Sequence, residues 1–116
     1  MRVFLTLCAL LWALAVSEAR AQAFIASGNT VSLAVTGTTG RVAVPTDAYN
    51  NSVRIYNAGT APVFIACGDV TVTAATATGV PVAPGSVEVL GCGKGYIAGI
   101  VTTGTATLYL TPGAGI

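Results

Sequence analysis

SVRIYNAGTAPVFIACGD, from Ser52 to Asp69, is the stretch whose pattern decides the fold. Two β-rich runs, Val53 to Tyr56 and Pro62 to Cys67, flank Asn57-Ala58-Gly59-Thr60. Asn and Gly tolerate the positive φ of a reversing backbone, so the stretch predicts a hairpin. Val53 and Ile55 alternate with Arg54 and Tyr56, the signature of a strand with one face in a core and one in solvent. Val63-Phe64-Ile65-Ala66-Cys67 is apolar on both faces, which predicts an interior strand.

Toward the N-terminus, Ala23 to Ala26 predicts an edge strand or docking arm, broken by Ser27-Gly28-Asn29. Val31, Leu33 and Val35 alternate with Thr30, Ser32 and Ala34, and Thr36 to Gly40 supplies a turn. Arg41 to Val44 is then expected to pair back as a first hairpin before Pro45 removes a donor. Thr46 to Asn51 is a polar loop.

Toward the C-terminus, Val70 to Thr73 predicts a short strand, and the low-complexity run Ala74 to Gly79 predicts a loop or loose edge without core side chains. Val80 to Val82 precedes a Pro84-Gly85 turn, Ser86 to Leu90 alternates, and Gly91, Gly93 and Gly95 mark a tight connection. Tyr96 to Val101 and Thr105 to Leu110 are expected to form the last pair, with Leu108 and Leu110 facing one way and Thr107 and Tyr109 the other. No segment after residue 23 carries the i, i+3, i+4 pattern of an amphipathic helix. Short strands with regular turn signals predict an all-β domain, a two-sheet sandwich of Greek-key or jelly-roll type, with a small β-barrel as the alternative.

The first residues read differently. Met1-Arg2 is a positive start, Val3 to Val16 an uncharged apolar run, and Ser17 to Ala23 holds two overlapping A-x-A sites. This predicts a signal peptide over 1–21 and a single all-β domain over 22–116, with cleavage after Ala21 or Ala23. A retained anchor is the rival reading, but about 14 apolar residues reach only ~21 Å as a helix, short of the ~30 Å hydrocarbon core. Cys8 is preceded by Leu5-Thr6-Leu7 and sits inside the apolar run, which excludes it as a lipidation site. The expectation is an exported chain, periplasmic or extracellular, with no membrane association once the leader is removed.

Beyond the leader, Arg41, Arg54 and Lys94 balance Asp47, Asp69 and Glu88. A neutral surface lacks the charge that keeps copies of a small soluble domain apart, which suggests packing against copies of itself or a larger protein assembly; a secreted domain kept soluble by Thr, Ser, Asn and Gly is the alternative. No basic cluster is present to neutralise phosphates, which argues against nucleic acid as a partner.

Cys67 and Cys92 remain as an even pair in an exported chain, and a disulfide between them is the expectation; two reduced core thiols are the alternative. The chain has no histidine, so a metal site lacks a tetrahedral donor set and a serine nucleophile lacks its usual base. Asp47, Asp69 and Glu88 are the only residues that can pair as a glycosidase acid and base, and each stands where a turn or solvent face expects a carboxylate. Neither catalysis nor a cofactor is predicted. Arg54, Glu88 and Tyr109 fall on predicted outward faces, where cross-strand pairing is the ordinary role. Asn50-Asn51-Ser52 matches a glycosylation acceptor, a pattern with meaning only in a glycosylating host. Trp12 lies in the leader, so the domain has no tryptophan to stack on a sugar.

Gly40 to Pro45, Ser52 to Ile65, Gly68-Asp69, Val80 to Val89 and Thr105 to Gly113 together resemble small phage-encoded β-domain proteins associated with virion structural genes. The resemblance covers most of the region after the leader and consists of turn and strand patterns. It implies a structural or decoration role, on the virion surface if the chain is phage-encoded. A leader and a disulfide depart from that pattern and fit a domain of the same type reused for export. The leading expectation is therefore a non-enzymatic structural or interaction module. The alternative is a secreted ligand- or glycan-binding module using loops Thr46 to Asn51 and Ala74 to Gly79, with Tyr49 and Tyr96 as its loop aromatics.

Overall fold

A computed structural model describes residues 23–115. The expected signal peptide over 1–21 lies outside the described residues. Within them there is no helix, and nine strands run in the order β1 (Ile25–Ala26), β2 (Val31–Val35), β3 (Gly40–Ala43), β4 (Ser52–Asn57), β5 (Val63–Gly68), β6 (Val80–Val82), β7 (Val87–Gly91), β8 (Tyr96–Ile100) and β9 (Ala106–Ala114).

The strands form two antiparallel sheets. The front sheet has the order β1-β9-β4-β7, with β2 also on β9; the back sheet has the order β3-β8-β5-β6. The pairing is nested: β2 with β9, β3 with β8, β4 with β7, β5 with β6. The chain is thus one long antiparallel ribbon, doubled back near residues 69–79, whose successive segments fall alternately into the front and back sheets. Contacts β4·β9 and β5·β8 join the turns of the ribbon sideways.

Alternation explains why two layers form. Val53 and Ile55 on β4, and Leu108 and Leu110 on β9, are fully buried; so are Val63 and Ile65 on β5 and Ile97 on β8. These side chains come from facing sheets and share one core with Leu33, Val35, Val44, Val82 and Val101. A fully buried Val, Leu or Ile contributes about 1.5–3 kcal/mol, so this aliphatic layer is the main favourable term. β5 is an interior strand, as its two apolar faces require, and β9 turns Leu108 and Leu110 inward and Tyr109 outward.

Three expected hairpins do not form. β4 and β5 lie in opposite sheets, as do β2 and β3, and β8 and β9. Each connection is an arch that passes from one layer to the other. At Asn57 to Thr60 the physical reason is visible: Gly59 is not at positive φ, and the turn is held by the buried Asn57 side chain. Its amide donates to the carbonyls of Ala61 and Val82, both at 2.9 Å, and its oxygen accepts from Gly59 N–H at 2.9 Å. A side chain that supplies these bonds replaces the hydrogen-bonded reversal of a hairpin.

The segment after β5 also differs from expectation. Val70 to Thr73 forms no strand: Val70 and Thr71 make a turn capped by Asp69, and Val72 and Thr73 continue without regular structure. Ala74 to Gly79 is a loop, as expected, but a docked one: Ala74 is buried, and its N–H donates to Thr39 Oγ at 2.8 Å. Residues 69–79 therefore form a strap across the outer face of the back sheet. Two glycines let it lie close: a Cβ on Gly68 would stand 2.7 Å from Val72, and one on Gly79 2.8 Å from Phe64 Cβ.

Candidate functional site

The chemistry-bearing residues stand apart. Asp47, in the loop before β4, accepts the N–H groups of Tyr49 at 2.8 Å and Asn50 at 2.7 Å. The Asn50 backbone bond, then the Tyr49 bond and the Asn50 side chain, hold its carboxyl below the usual range. Asp69, after β5, accepts the Thr71 hydroxyl at 2.6 Å and the Thr71 N–H at 2.9 Å. Those bonds, aided more weakly by the charges of Lys94 and Arg41, likewise lower it. Both carboxylates are turn caps. Glu88 lies on β7 opposite Ile55, whose side chain points into the core. It is therefore on the inward side of an edge strand, not the outward face that alternation suggested, and it stays exposed because β7 has no neighbour beyond it. Among the described residues no three His, Cys, Asp or Glu side chains converge, and no pocket opens.

Cys67 and Cys92 are joined by a disulfide, with Cα atoms 5.8 Å apart. Cys67 is in β5 of the back sheet, and Cys92 follows β7 of the front sheet, so the bond staples one layer to the other. Cys92 is buried, and its N–H donates to the Asn51 carbonyl at 2.6 Å. That bond gathers the loop before β4 at the same end of the molecule. Asn50 of the Asn50-Asn51-Ser52 match is tied to Asp47, and Ser52 is buried.

The two loops expected to share a ligand are separated. Ala74 docks beside Thr39, just ahead of β3, while Thr46 to Asn51 follows β3 at its other end. Tyr49 is 87% exposed, whereas Tyr96 begins β8 and is half-buried.

The outer faces of the two sheets are unlike. On the back sheet, Ala98 points outward from β8 yet is fully buried, as expected beneath the strap. On the front sheet, register places Ser32, Tyr109, Tyr56 and Val87 in one row across β2, β9, β4 and β7. Tyr109 is 44% exposed and Tyr56 36%. Their rings stack, with centroids 6.3 Å apart and planes 20° from parallel. The adjoining row is Thr111, Arg54 and Val89. Arg54 is the only charged side chain that this register puts on the face. Farther along, a Cβ on Gly113 would run into the ring of Phe24, so the N-terminal arm lies over that end. Because each tyrosine turns a ring face to the other, the pair presents edges and hydroxyls outward. A flat sugar needs an open ring face; a protein surface uses Tyr edges, hydroxyls and Arg together.

Every sheet edge is blunted. β6 carries Pro81, β7 carries inward-facing Glu88, β3 is four residues long with Arg41, and the β1 and β2 edge is interrupted at 27–30. Pro and inward charge on an edge discourage strand addition. Sequence alternation placed Tyr56 and Tyr109 outward separately; only the β4 and β9 register makes them neighbours, and no local signal reports it. Comparison with protein-family models, curated proteins and solved structures finds no match to this chain.

Proposed function

We propose that this chain is an exported, non-enzymatic structural or interaction module of the jelly-roll type that docks on a protein surface through the outer face of its front sheet. The observation that carries this reading is the stacked, half-exposed Tyr56 and Tyr109 pair on the sheet face that the strap does not cross. Tyrosine and arginine are the side chains that concentrate binding energy in protein contacts. The nested pairing, divided alternately between two sheets, supports the jelly-roll assignment, and that architecture is common in capsid and lectin domains. The Cys67 and Cys92 bond and the leader-like N-terminus favour export to an oxidising compartment. A decoration role, by repetition on a larger surface as in the phage-encoded proteins the sequence resembles, fits the balanced charge of the domain.

Site-specific photocrosslinking tests the reading. A crosslinker placed at Tyr109 in the native host is expected to give a discrete protein adduct, while one at Thr73 on the strap gives none. Adducts from the strap alone, or from neither position, would overturn it.

A further inference from the structure

Resting on that reading, we propose that the occupant of the front face is a second copy of this chain, giving a two-fold dimer with the front sheets packed face to face. The described residues carry three cations and three anions, namely Arg41, Arg54 and Lys94 against Asp47, Asp69 and Glu88, so no net charge drives copies apart. Among the described residues the front sheet offers the one broad face that the strap does not cross. A single patch that meets its own copy closes a two-fold dimer instead of propagating a filament. Blunted edges remove the competing route, in which strands of two copies join side by side.

The face is also self-complementary. Its charge is a lone Arg54, two residues from Tyr56 on β4 and thus about 7 Å away along the strand. A two-fold axis running across the strands between these positions sets each Arg54 over the partner's tyrosine pair. The guanidinium then donates to the outward tyrosine hydroxyls and needs no carboxylate. Four strands abreast and about five residues long give a footprint of ~17 by ~19 Å, on the order of 500 Å² of accessible surface per copy once side-chain relief is included. That is below the ~800 Å² per partner of a standard stable interface, so association is concentration-dependent, in the micromolar range or weaker.

Sedimentation equilibrium of the purified chain, its N-terminus fixed by intact mass, tests this directly. A reversible monomer to dimer equilibrium is expected, with the dissociation constant raised at least tenfold by Tyr109→Ser and likewise by Arg54→Glu. Thr73→Arg on the strap should leave it unchanged, and unaltered circular dichroism keeps the variants comparable. A monomer throughout the concentration range, a dimer insensitive to both front-face substitutions, or a monomer whose retained N-terminal segment shields Tyr109 from solvent would each overturn the proposal. If the chain is monomeric while Tyr109 still crosslinks to another protein in the host, only the self-pairing fails and the docking face stands.

Discussion

Asn57 and Val82 tie the two layers together: the side-chain amide at the end of β4 in the front sheet donates to the carbonyl at the end of β6 in the back sheet, at 2.9 Å. The same residue holds Ala61 and Gly59, so one fully buried polar side chain defines the first arch and its anchorage. A buried amide with its donors and acceptor satisfied fixes a unique arrangement where aliphatic packing alone tolerates several.

Asn57→Ala strands the Gly59 N–H and the Ala61 and Val82 carbonyls, and is expected to cost about 3 kcal/mol in denaturant unfolding. Asn57→Asp keeps the acceptor and loses both donors. The introduced carboxyl, buried beside two carbonyls, has its folded pKa raised above the unfolded value. Stability of that variant should therefore rise as pH falls through the folded pKa, and a flat profile would show that the carbonyls had found other partners.

Reducing the Cys67 and Cys92 bond, or replacing both with Ser, frees a segment spanning 25 residues in the unfolded chain. Loop entropy for that span is worth about 3.5 kcal/mol. Guanidinium unfolding with and without reductant should differ by about this amount, and equal midpoints would mean that the bond constrains neither state.

Asp47 and Asp69 both have folded pKa values below the ordinary 3.8, because backbone and hydroxyl donors favour the ionised form. A depressed acid stabilises fully above the unfolded value and loses that contribution as pH falls through the folded one. Urea midpoints should hold to about pH 5 and decline toward about pH 2. Asp47→Asn together with Asp69→Asn should flatten that decline, since an amide can accept the same bonds without titrating.

The strap should undock without global unfolding. Ala74→Asp sets a charge at a buried position, and a side chain on Gly79 in Gly79→Val meets Phe64. Each is expected to cost about 1–3 kcal/mol. Hydrogen exchange and limited proteolysis should report faster opening at residues 69–79 and at Ala98, with the β4 and β9 amides still protected. Uniform loss of protection would show instead that the strap belongs to the cooperative core.

Strand positions and facing were legible because a half-buried strand writes its burial into every second residue: Val53, Ile55, Leu108 and Leu110 needed nothing further. Which strands pair was not. A hairpin and an arch present the same alternation, and the choice at Asn57 to Thr60 depends on a bond to Val82, 25 residues on. Glu88 misled for a related reason: exposure came from the edge position of β7, not from the face it occupies. Strap docking was hidden too, since Ala74 is small and the low-complexity run around it carries no alternation to mark a buried side. The Cys67 and Cys92 pairing was legible because parity left no other partner.

One long strand has a temporal consequence. β9, the last of the nine described strands in chain order, lies between β2 and β4, so the earlier residues cannot complete the front sheet by themselves. Such dependence on distant contacts slows folding and delays it until β9 can join. A nascent chain arrested before residue 106 should thus remain loose and protease-sensitive, its core exposed until the central strand of the front sheet arrives.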